Sequence, residues 1–599
     1  MLKMSLQDRL KGASALGCAG LALTAFVALT VPSAARAQTT APMASPMASP
    51  MASPMTAPAY TPVSQSDLVG AATSDGWLMF NRDYSGQDYA PFDQINTGNV
   101  ASLTTAWSSG KIAIPDGFEG TPVVVGTYMF VTTPRDHVIA YNAKTGEKLW
   151  QYDYQIAPAA FKTLCCDINN RGVAVYGNSV IFGTLDNHVV ALDATTGKEQ
   201  WNVSLAESGT GYSITEAPLV VNGKVIIASG GGEYGARGFI VGLDAATGNQ
   251  VWKIYTIPSP DEPGGDTWPK GMYQTGGGAA WMTGTYDSDT NTLLWGVGNP
   301  GPWLAKMRPG KNLYSDSLLA LDPDTGKMKW YYQYTANDSW DYDGVNTPQL
   351  ADITYEGKPY KAIIEANRNG YFYAIDRTNG KLIYAKTFVH DTSILGIDKT
   401  GHAITNDANK PTLTKSIFTC PSFLGGKNWW PGSVDPDTNM AYVPTLHACM
   451  TMVGVPVTYS AGLPFLGEKF EMKDDPTSPG QYGSLQAIDL STGKQVWQQK
   501  SSFPWDAGTL ATKGGLVFSG TPDGYLKAFD AKTGDVVWTS PQLTSGIISN
   551  PISYRIDGVQ YVAVWTGWGG VWPIWAGKLA IPEAKIPRGG QLYVFALHS

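Results

Sequence analysis

One phrase, centred on Asp-x-x-Thr-Gly and ending four residues later in an aromatic, returns along the whole chain and restricts it to a few architectures. It reads AYNAKTGEKLW at 140–150, ALDATTGKEQW at 191–201, GLDAATGNQVW at 242–252 and ALDPDTGKMKW at 320–330. It returns as AIDRTNGKLIY at 374–384, AIDLSTGKQVW at 487–497 and AFDAKTGDVVW at 528–538. Weaker copies are TYDSDTNTLLW at 285–295 and SVDPDTNMAYV at 433–443. Each copy predicts a strand, a tight turn and a second strand. Upstream of most copies lie one or two further alternating segments, such as NSVIFGTLDNHVVALD at 178–193. About four strands per unit, at spacings of roughly 35 to 60 residues, predict an all-β propeller. An open solenoid would need polar end caps, and no such segment is visible, so closure is expected. A mature length near 560 residues divides into about eight blades, which makes an eight-bladed β-propeller the expected fold. The repeated indole at the end of a unit can stack on the next blade, which gives the 20 Trp a role. The C-terminal GGQLYVFAL and the early WLMFNRDYSGQDYAPF are expected to share the closing blade.

The N-terminus carries Lys3, Arg9 and Lys11, an apolar run from about Ala13 to Val31, and an Ala35-Arg36-Ala37 cleavage pattern. That is a secretory signal over 1–37. Residues 38–64, with three near-copies of PMAS, lack large apolar side chains and predict a disordered tether. The propeller is expected over 65–599. Removing the signal, with Lys3, Arg9, Lys11, Arg36 and Asp8, takes the formal charge from −8 to −11. Such a balance argues against nucleic acid or an anionic membrane as partner. No second apolar stretch is long enough to span a membrane.

Several chemistries are excluded. The six histidines (His137, His188, His390, His402, His447, His598) suggest no zinc pair on one element. There is no Gly-x-Ser-x-Gly elbow and no phosphate loop. There is no C-x-x-C-H, hence no covalently attached haem. Gly230 to Gly235 match G-x-G-x-x-G, but a strand and a repeat turn follow where a dinucleotide site needs a helix.

Four cysteines remain after export, an even number that favours two disulfides. Cys165 and Cys166 are adjacent. A bond between them would close a small ring with almost no loop to restrain. That leaves a rigid plate, a redox switch, or two unpaired thiols in a strand. Elsewhere, acidic and amide side chains sit in Gly- and Trp-rich loops: Glu233 in SGGGEYG, Asn299 in GVGNPGPW, Asp341 and Asp343 in NDSWDYDGVN. These are hard oxygen ligands suited to calcium or a more highly charged cation. If the Asp341–Asp343 segment is extended, both carboxylates point to one face.

Seven ordered motifs, CCD-x-x-NRG, GGGAAW, GNPGPW, NDSWDYDGVN, NRNGYFYAIDRTNGKL, GGKNWWPG and GWGGVWP, resemble those of the pyrroloquinoline-quinone (PQQ)-dependent alcohol dehydrogenases. The resemblance runs from Trp77 to the C-terminus. It implies that Cys165 and Cys166 form a vicinal disulfide on one face of the quinone and that Trp281 stacks on the other. It implies that Glu119, Arg171, Thr215, Gly231 and Gly232 bind the cofactor's edge and carboxylates, with Asn428, Trp429 and the loop at Val571 completing the pocket. It assigns the metal to Glu233, Asn299 and Asp341, makes Asp341 the catalytic base, and sets Arg368 against the reactive quinone oxygen. Cys420 and Cys449 match the family's second disulfide. The position two after the base is Ala or Ser in calcium-dependent members and Asp in lanthanide-dependent ones. Asp343 therefore makes a fourth ligand and points to a lanthanide, with Ca2+ the alternative.

The expected activity is periplasmic oxidation of a primary alcohol to an aldehyde. The missing haem motif implies a separate soluble cytochrome c as acceptor, and a homodimer is compatible with the sequence. A non-catalytic propeller scaffold of the outer-membrane assembly type is the alternative; it would have no use for the Cys pair, the Asn-Pro loop or Asp341.

Overall fold

A computed structural model describes residues 58–580 and 582–598. The expected signal and the tether up to residue 57 lie outside the described residues. At 58–64 the chain is docked, contrary to a tether. Val63 is buried and exchanges backbone hydrogen bonds with Gly177 at 3.1 and 2.7 Å. Tyr60 packs edge-on against Tyr128 with ring centroids 5.3 Å apart.

The fold is an all-β propeller. Among the described residues, eight sheets have four or five strands. Seven of them hold four strands, and in each of the eight the successive hairpins are antiparallel. In the sheet over 123–153 the first two strands, Val123–Val125 and Tyr128–Thr133, are buried throughout, whereas the outermost, Lys148–Asp153, is exposed or half-buried. The inner strands thus read as continuous apolar runs and the outer strand alternates, as layered packing demands. Shared apolar clusters join each sheet to the next. A further cluster unites Phe518, Val562 and Val131 and so returns the last sheets to the first.

The repeat motif makes these junctions. The turn Asp caps its own loop: Asp193 Oδ1 accepts from the backbone N–H of Thr195 and Thr196 at 3.1 and 2.9 Å. The turn Gly then takes a positive φ, 69° at Gly197, and its bare face lies against Trp150 of the preceding sheet. Trp150 Nε1 donates to Ala194 O at 2.9 Å. The pattern repeats as Trp107 on Gly146, Trp201 on Gly248, Trp252 on Gly326, Trp330 on Gly380 and Trp497 on Gly534. Where the aromatic is Tyr384, it covers Gly493 and donates to Leu490 O at 2.8 Å. A buried indole contributes a large apolar area, and only glycine leaves room for it here.

Two expectations are corrected. The two weaker copies are turns between the first and second strands of their sheets, Thr285–Asp287 with Thr292–Val297 and Ser433–Asp435 with Met440–Leu446. They lack the docking Gly, and Trp295 points into the core instead. The closing sheet joins Gln591–Leu597 to Leu103–Ser108, not to the segment at 77–92. From that earlier segment, Tyr89–Ala90 runs parallel to Thr509–Thr512 as a fifth strand of the preceding sheet.

Antiparallel order places two kinds of connection on one face: the loop entering each first strand and the turn between the second and third. Glu119, Arg171, Thr215, Trp281, Asp341 and Trp429 precede first strands, while Glu233, Asn299, Arg368 and Val571 follow second strands. The Asp-x-x-Thr-Gly turns fall on the other face.

Gly197 and Gly126 share a left-handed backbone, but only at Gly197 would a Cβ strike an indole, 2.7 Å from Trp150. Gly197→Ala should therefore cost about 1–3 kcal/mol more than Gly126→Ala, the usual range for overpacking. The check is the apparent thermal midpoint of the two variants; equal shifts would show that the indole contact does not set the junction.

Candidate active site

The face that collects the entry loops buries an unusual set of charges. Arg171 is 3 % exposed and pairs with Glu119, 1 % exposed, through Nη2 at 2.8 Å. Its Nη1 donates to Thr215 Oγ1 at 2.7 Å. Its guanidinium lies 5.0 Å from the centre of the Trp281 ring and 4.4 Å from that of Trp429. Burial pushes the Glu119 carboxyl up to about 7, with Arg171 pulling the other way. Cys165 and Cys166 are joined in a vicinal disulfide, and Cys166 packs on the apolar cluster that includes Trp281, Trp429 and Val571. Gly231 caps a single 3-10 turn, Gly232–Tyr234, with φ 108°, and a strand at Phe239–Asp244 follows. The dinucleotide reading is thereby excluded by the structure too.

The acidic residues gather next to this pocket. Arg368 Nη2 pairs with Asp343 Oδ2 at 2.9 Å and Nη1 with Asp341 Oδ2 at 3.4 Å. Arg368 also donates to the carbonyls of Asp341 and Phe423 at 3.0 and 3.1 Å, and to Asn428 Oδ1 at 3.4 Å. Asp343 accepts from Trp281 Nε1 at 3.0 Å and from the Asn299 backbone N–H at 2.6 Å. Asp341 is held well above the ordinary carboxylate range by burial first, then by repulsion from Asp343, and Glu233 adds to it. Glu233 is raised to about 7 by burial and by Asp343. The Asp341–Asp343 segment is not extended: Asp341 has φ 65°. Asp338 builds this loop instead, accepting from the Trp340 and Tyr342 N–H groups at 2.9 and 3.0 Å.

These residues fit a cation and a planar anion. Three carboxylates face one guanidinium, so the cluster has an excess of negative charge. The Asn299 amide lies between Asp343 Oδ1 and Trp303 Nε1, at 3.2 and 2.9 Å. With its nitrogen toward Asp343 and its oxygen toward Trp303 it bridges the two; turned round, its oxygen and Asp343 could share a cation, at the cost of setting its nitrogen against the Trp303 N–H. A Cβ at Gly298 would lie 2.3 Å from Asp343 Oδ1 and 2.7 Å from the Ala279 carbonyl oxygen, so glycine is needed there, and one at Gly232 would lie 2.8 Å from Asn299 Oδ1. On the other side, Arg171 Nε, Arg368 Nε and Trp429 Nε1 are buried donors with no hydrogen-bond acceptor among the described residues. A flat ligand carrying carboxylates and carbonyls would satisfy them.

Comparison with known proteins gives the same result. The family model for the glucose/ethanol/alcohol dehydrogenase PQQ β-propeller domain matches residues 77–388 and 397–562. The chain belongs to the PQQ-dependent alcohol dehydrogenases. It is 43 % identical over 566 residues to the quinoprotein alcohol dehydrogenase PedH of Pseudomonas putida, covering 90 % of this chain and 94 % of that protein. It is 40 % identical over 573 residues to the lanthanide-dependent methanol dehydrogenase of Methylacidiphilum fumariolicum, covering 87 % and 92 %. The solved europium-containing methanol dehydrogenase superposes with a TM-score of 0.85 at 37 % identity, covering 89 % of this chain and 100 % of that one. The chain is thus a PQQ-dependent alcohol dehydrogenase, and the scaffold alternative falls away.

Sequence reasoning overlooked Asp167 as a member of this dehydrogenase pocket, although it stands in the CCD motif. Asp167 Oδ2 accepts from the N–H of Gly117 at 2.9 Å and of Gly570 at 3.0 Å. It thereby ties the Glu119 loop and the Val571 loop to the vicinal disulfide. Hydrogen bonds to a charged acceptor contribute about 1.5–3 kcal/mol each. Asp167→Ala should weaken PQQ binding at least about tenfold, since 1.4 kcal/mol is a factor of ten. Titration of the metal-loaded apoenzyme with PQQ, followed by tryptophan fluorescence, reads this directly. Unchanged affinity would show that the three loops hold together without Asp167.

Proposed function

We propose that this protein is an eight-bladed, periplasmic enzyme that oxidises primary alcohols to aldehydes with PQQ and one lanthanide ion, and that it passes electrons to a separate cytochrome c. The observation that carries the reading is the second carboxylate, Asp343, set beside Asp341, Glu233 and Asn299. A trivalent ion needs more negative charge and more oxygen ligands than calcium. The names of two relatives, the lanthanide-dependent and the europium-containing methanol dehydrogenases, point the same way. The eight sheets with continuous packing support the blade number. The absence of C-x-x-C-H supports a separate acceptor, and the N-terminal pattern over 1–37 supports export through a cleaved signal. No helix among the described residues is long and apolar enough to cross a membrane.

The bound cofactor pair supplies the hydride acceptor and a Lewis acid. The protein's own residues do the rest. Glu233, Asn299, Asp341 and Asp343 would hold the ion. Glu119, Arg171, Thr215, Gly231, Gly232, Asn428 and Trp429 would bind the quinone's polar edge, between the Cys165–Cys166 plate and the Trp281 indole, with Val571 closing the pocket. Asp341 takes the alcohol's hydroxyl proton at its carboxylate while the carbon-bound hydrogen leaves as hydride. Coordination weakens a carboxylate as a base, but fixed placement compensates. Arg368 holds Asp341 in place and presents its remaining donor to the reacting oxygen. The aromatic walls exclude water.

Two variants test this. Asp341→Asn should still bind PQQ but lose turnover by about 10²–10⁴-fold, the usual share of a general base. Near-normal kcat in a dye-reduction assay would place the base elsewhere. Asp343→Ala should abolish lanthanide-supported turnover while leaving the far-UV circular dichroism unchanged. Elemental analysis of the purified holoenzyme should find about one lanthanide per chain, the stoichiometry of a single catalytic ion. Full activity with calcium alone, in wild type and variant alike, would overturn the metal assignment.

A further inference from the structure

The second disulfide, Cys420–Cys449, is not an isolated bridge. Among the described residues, one group of four metal-binding side chains has its ligand atoms all within 4.8 Å of one another: His390, Cys420, Cys449 and Asp475. His390 Nδ1 lies 2.8 Å from Asp475 Oδ1. The two cysteines and Asp475 are buried, while the His390 side chain is 27 % exposed, so the group has a way in from solvent. The neighbouring His447 does not compete, since its Nε2 is engaged by Ser484 Oγ at 2.8 Å.

We infer that the dithiol form of this chain binds a zinc-class divalent cation through Cys420, Cys449, His390 and Asp475, so that this corner is a disulfide under oxidising conditions and a metal site under reducing ones. Two thiolates, one imidazole and one carboxylate form a tetrahedral set of the kind zinc favours. The frame that carries them does not depend on the S–S bond. Cys420 directly follows the strand Ser416–Thr419, which pairs with Ala448–Gly454, and that strand pairs in turn with Glu468–Asp474. The segment bearing His390 is fixed to Cys420 by one main-chain bond and one side-chain bond: Thr392 N–H donates to Cys420 O at 2.8 Å, and Cys420 N–H to Thr392 Oγ1 at 2.9 Å. Asp475 is fixed by the Thr477 N–H at 2.8 Å. All four ligands therefore stay near one another when the sulfurs part.

The chemistry balances simply. A phosphine gives two electrons and becomes the phosphine oxide by taking oxygen from one water, the two hydrogens of that water complete the thiols, and the S–S bond is broken. Metal entry then releases those two protons, because the ligands are thiolates. The chain is made in its dithiol form, so a cation bound before oxidation would have to leave before the disulfide could close.

The test uses the mature enzyme reduced with a phosphine, freed of metal by dialysis and titrated with Co2+. The expected result is one thiolate-to-cobalt charge-transfer band with tetrahedral ligand-field bands, saturating at one equivalent and absent from the oxidised enzyme. The band should survive in Cys165→Ser/Cys166→Ser, which removes the other thiol pair, and vanish in Cys420→Ser/Cys449→Ser. His390→Ala should weaken zinc competition for the band at least about tenfold, the usual minimum for a ligand or its close support. No band in reduced wild type, a band lost with the vicinal pair, or affinity unchanged in His390→Ala would each overturn the inference. So would loss of the near-UV circular dichroism on reduction, because the frame would then depend on the bond.

Discussion

The structure depends on an indole lying against a glycine that has no side chain to spare. Six of the seven main repeats end in an aromatic that covers the turn of the following sheet, where the positive φ and missing Cβ of the turn's glycine make the contact; the seventh, Trp538, docks on the Leu103 carbonyl of the closing sheet instead. A single such junction is worth a few kcal/mol at most. Their number and their closure into a ring give stiffness, because no sheet can shift without disturbing two of them. The Asp and Thr of the motif serve the same end by holding the turn in shape beneath the ring.

That stiffness is what the active site requires. Glu119, Arg171, Asp341, Asp343 and Arg368 are all nearly excluded from water. Burying charges without full compensation is costly, and flexible loops would relieve the cost by opening to solvent. Here the loops enter strands that are locked on both sides, so the carboxylates remain near one another despite their repulsion. The raised proton affinities of Glu119, Glu233 and Asp341 come first from burial, and at Glu233 and Asp341 next from the neighbouring Asp343 carboxylate, a repulsion that a cation is suited to relieve.

The sequence made the propeller legible because its period is written in seven of the eight sheets, including Tyr384 where Trp is replaced. It misled wherever a motif lacked that context. TYDSDTNTLLW and SVDPDTNMAYV share the Asp-turn chemistry but lack the docking Gly, and strand pairing places them in a different hairpin. The closing strand, LTTAWS, carries no turn signal of its own, so its pairing with Gln591–Leu597 was invisible. The site residues that touch through side chains were readable from composition and motif. Those that act through the main chain were not: the Phe423 carbonyl on Arg368, or the Gly117 and Gly570 amides on Asp167.

Asp343 shows how the two kinds of contact meet. Read from sequence, it is an added negative charge for a trivalent ion. In the fold it already joins three parts of the site: the Trp281 indole through Nε1, the Asn299 main chain, and the Arg368 guanidinium. One side chain therefore positions the Trp281 indole, a metal-ligand candidate and the arginine that pairs with the proposed base. Alanine or serine at this position could not span those contacts, so a change of metal preference here would necessarily be a change in the packing of the pocket as well. The preference for a particular ion is then a property of how the plate, the amide and the guanidinium are tied together, and not of charge count alone.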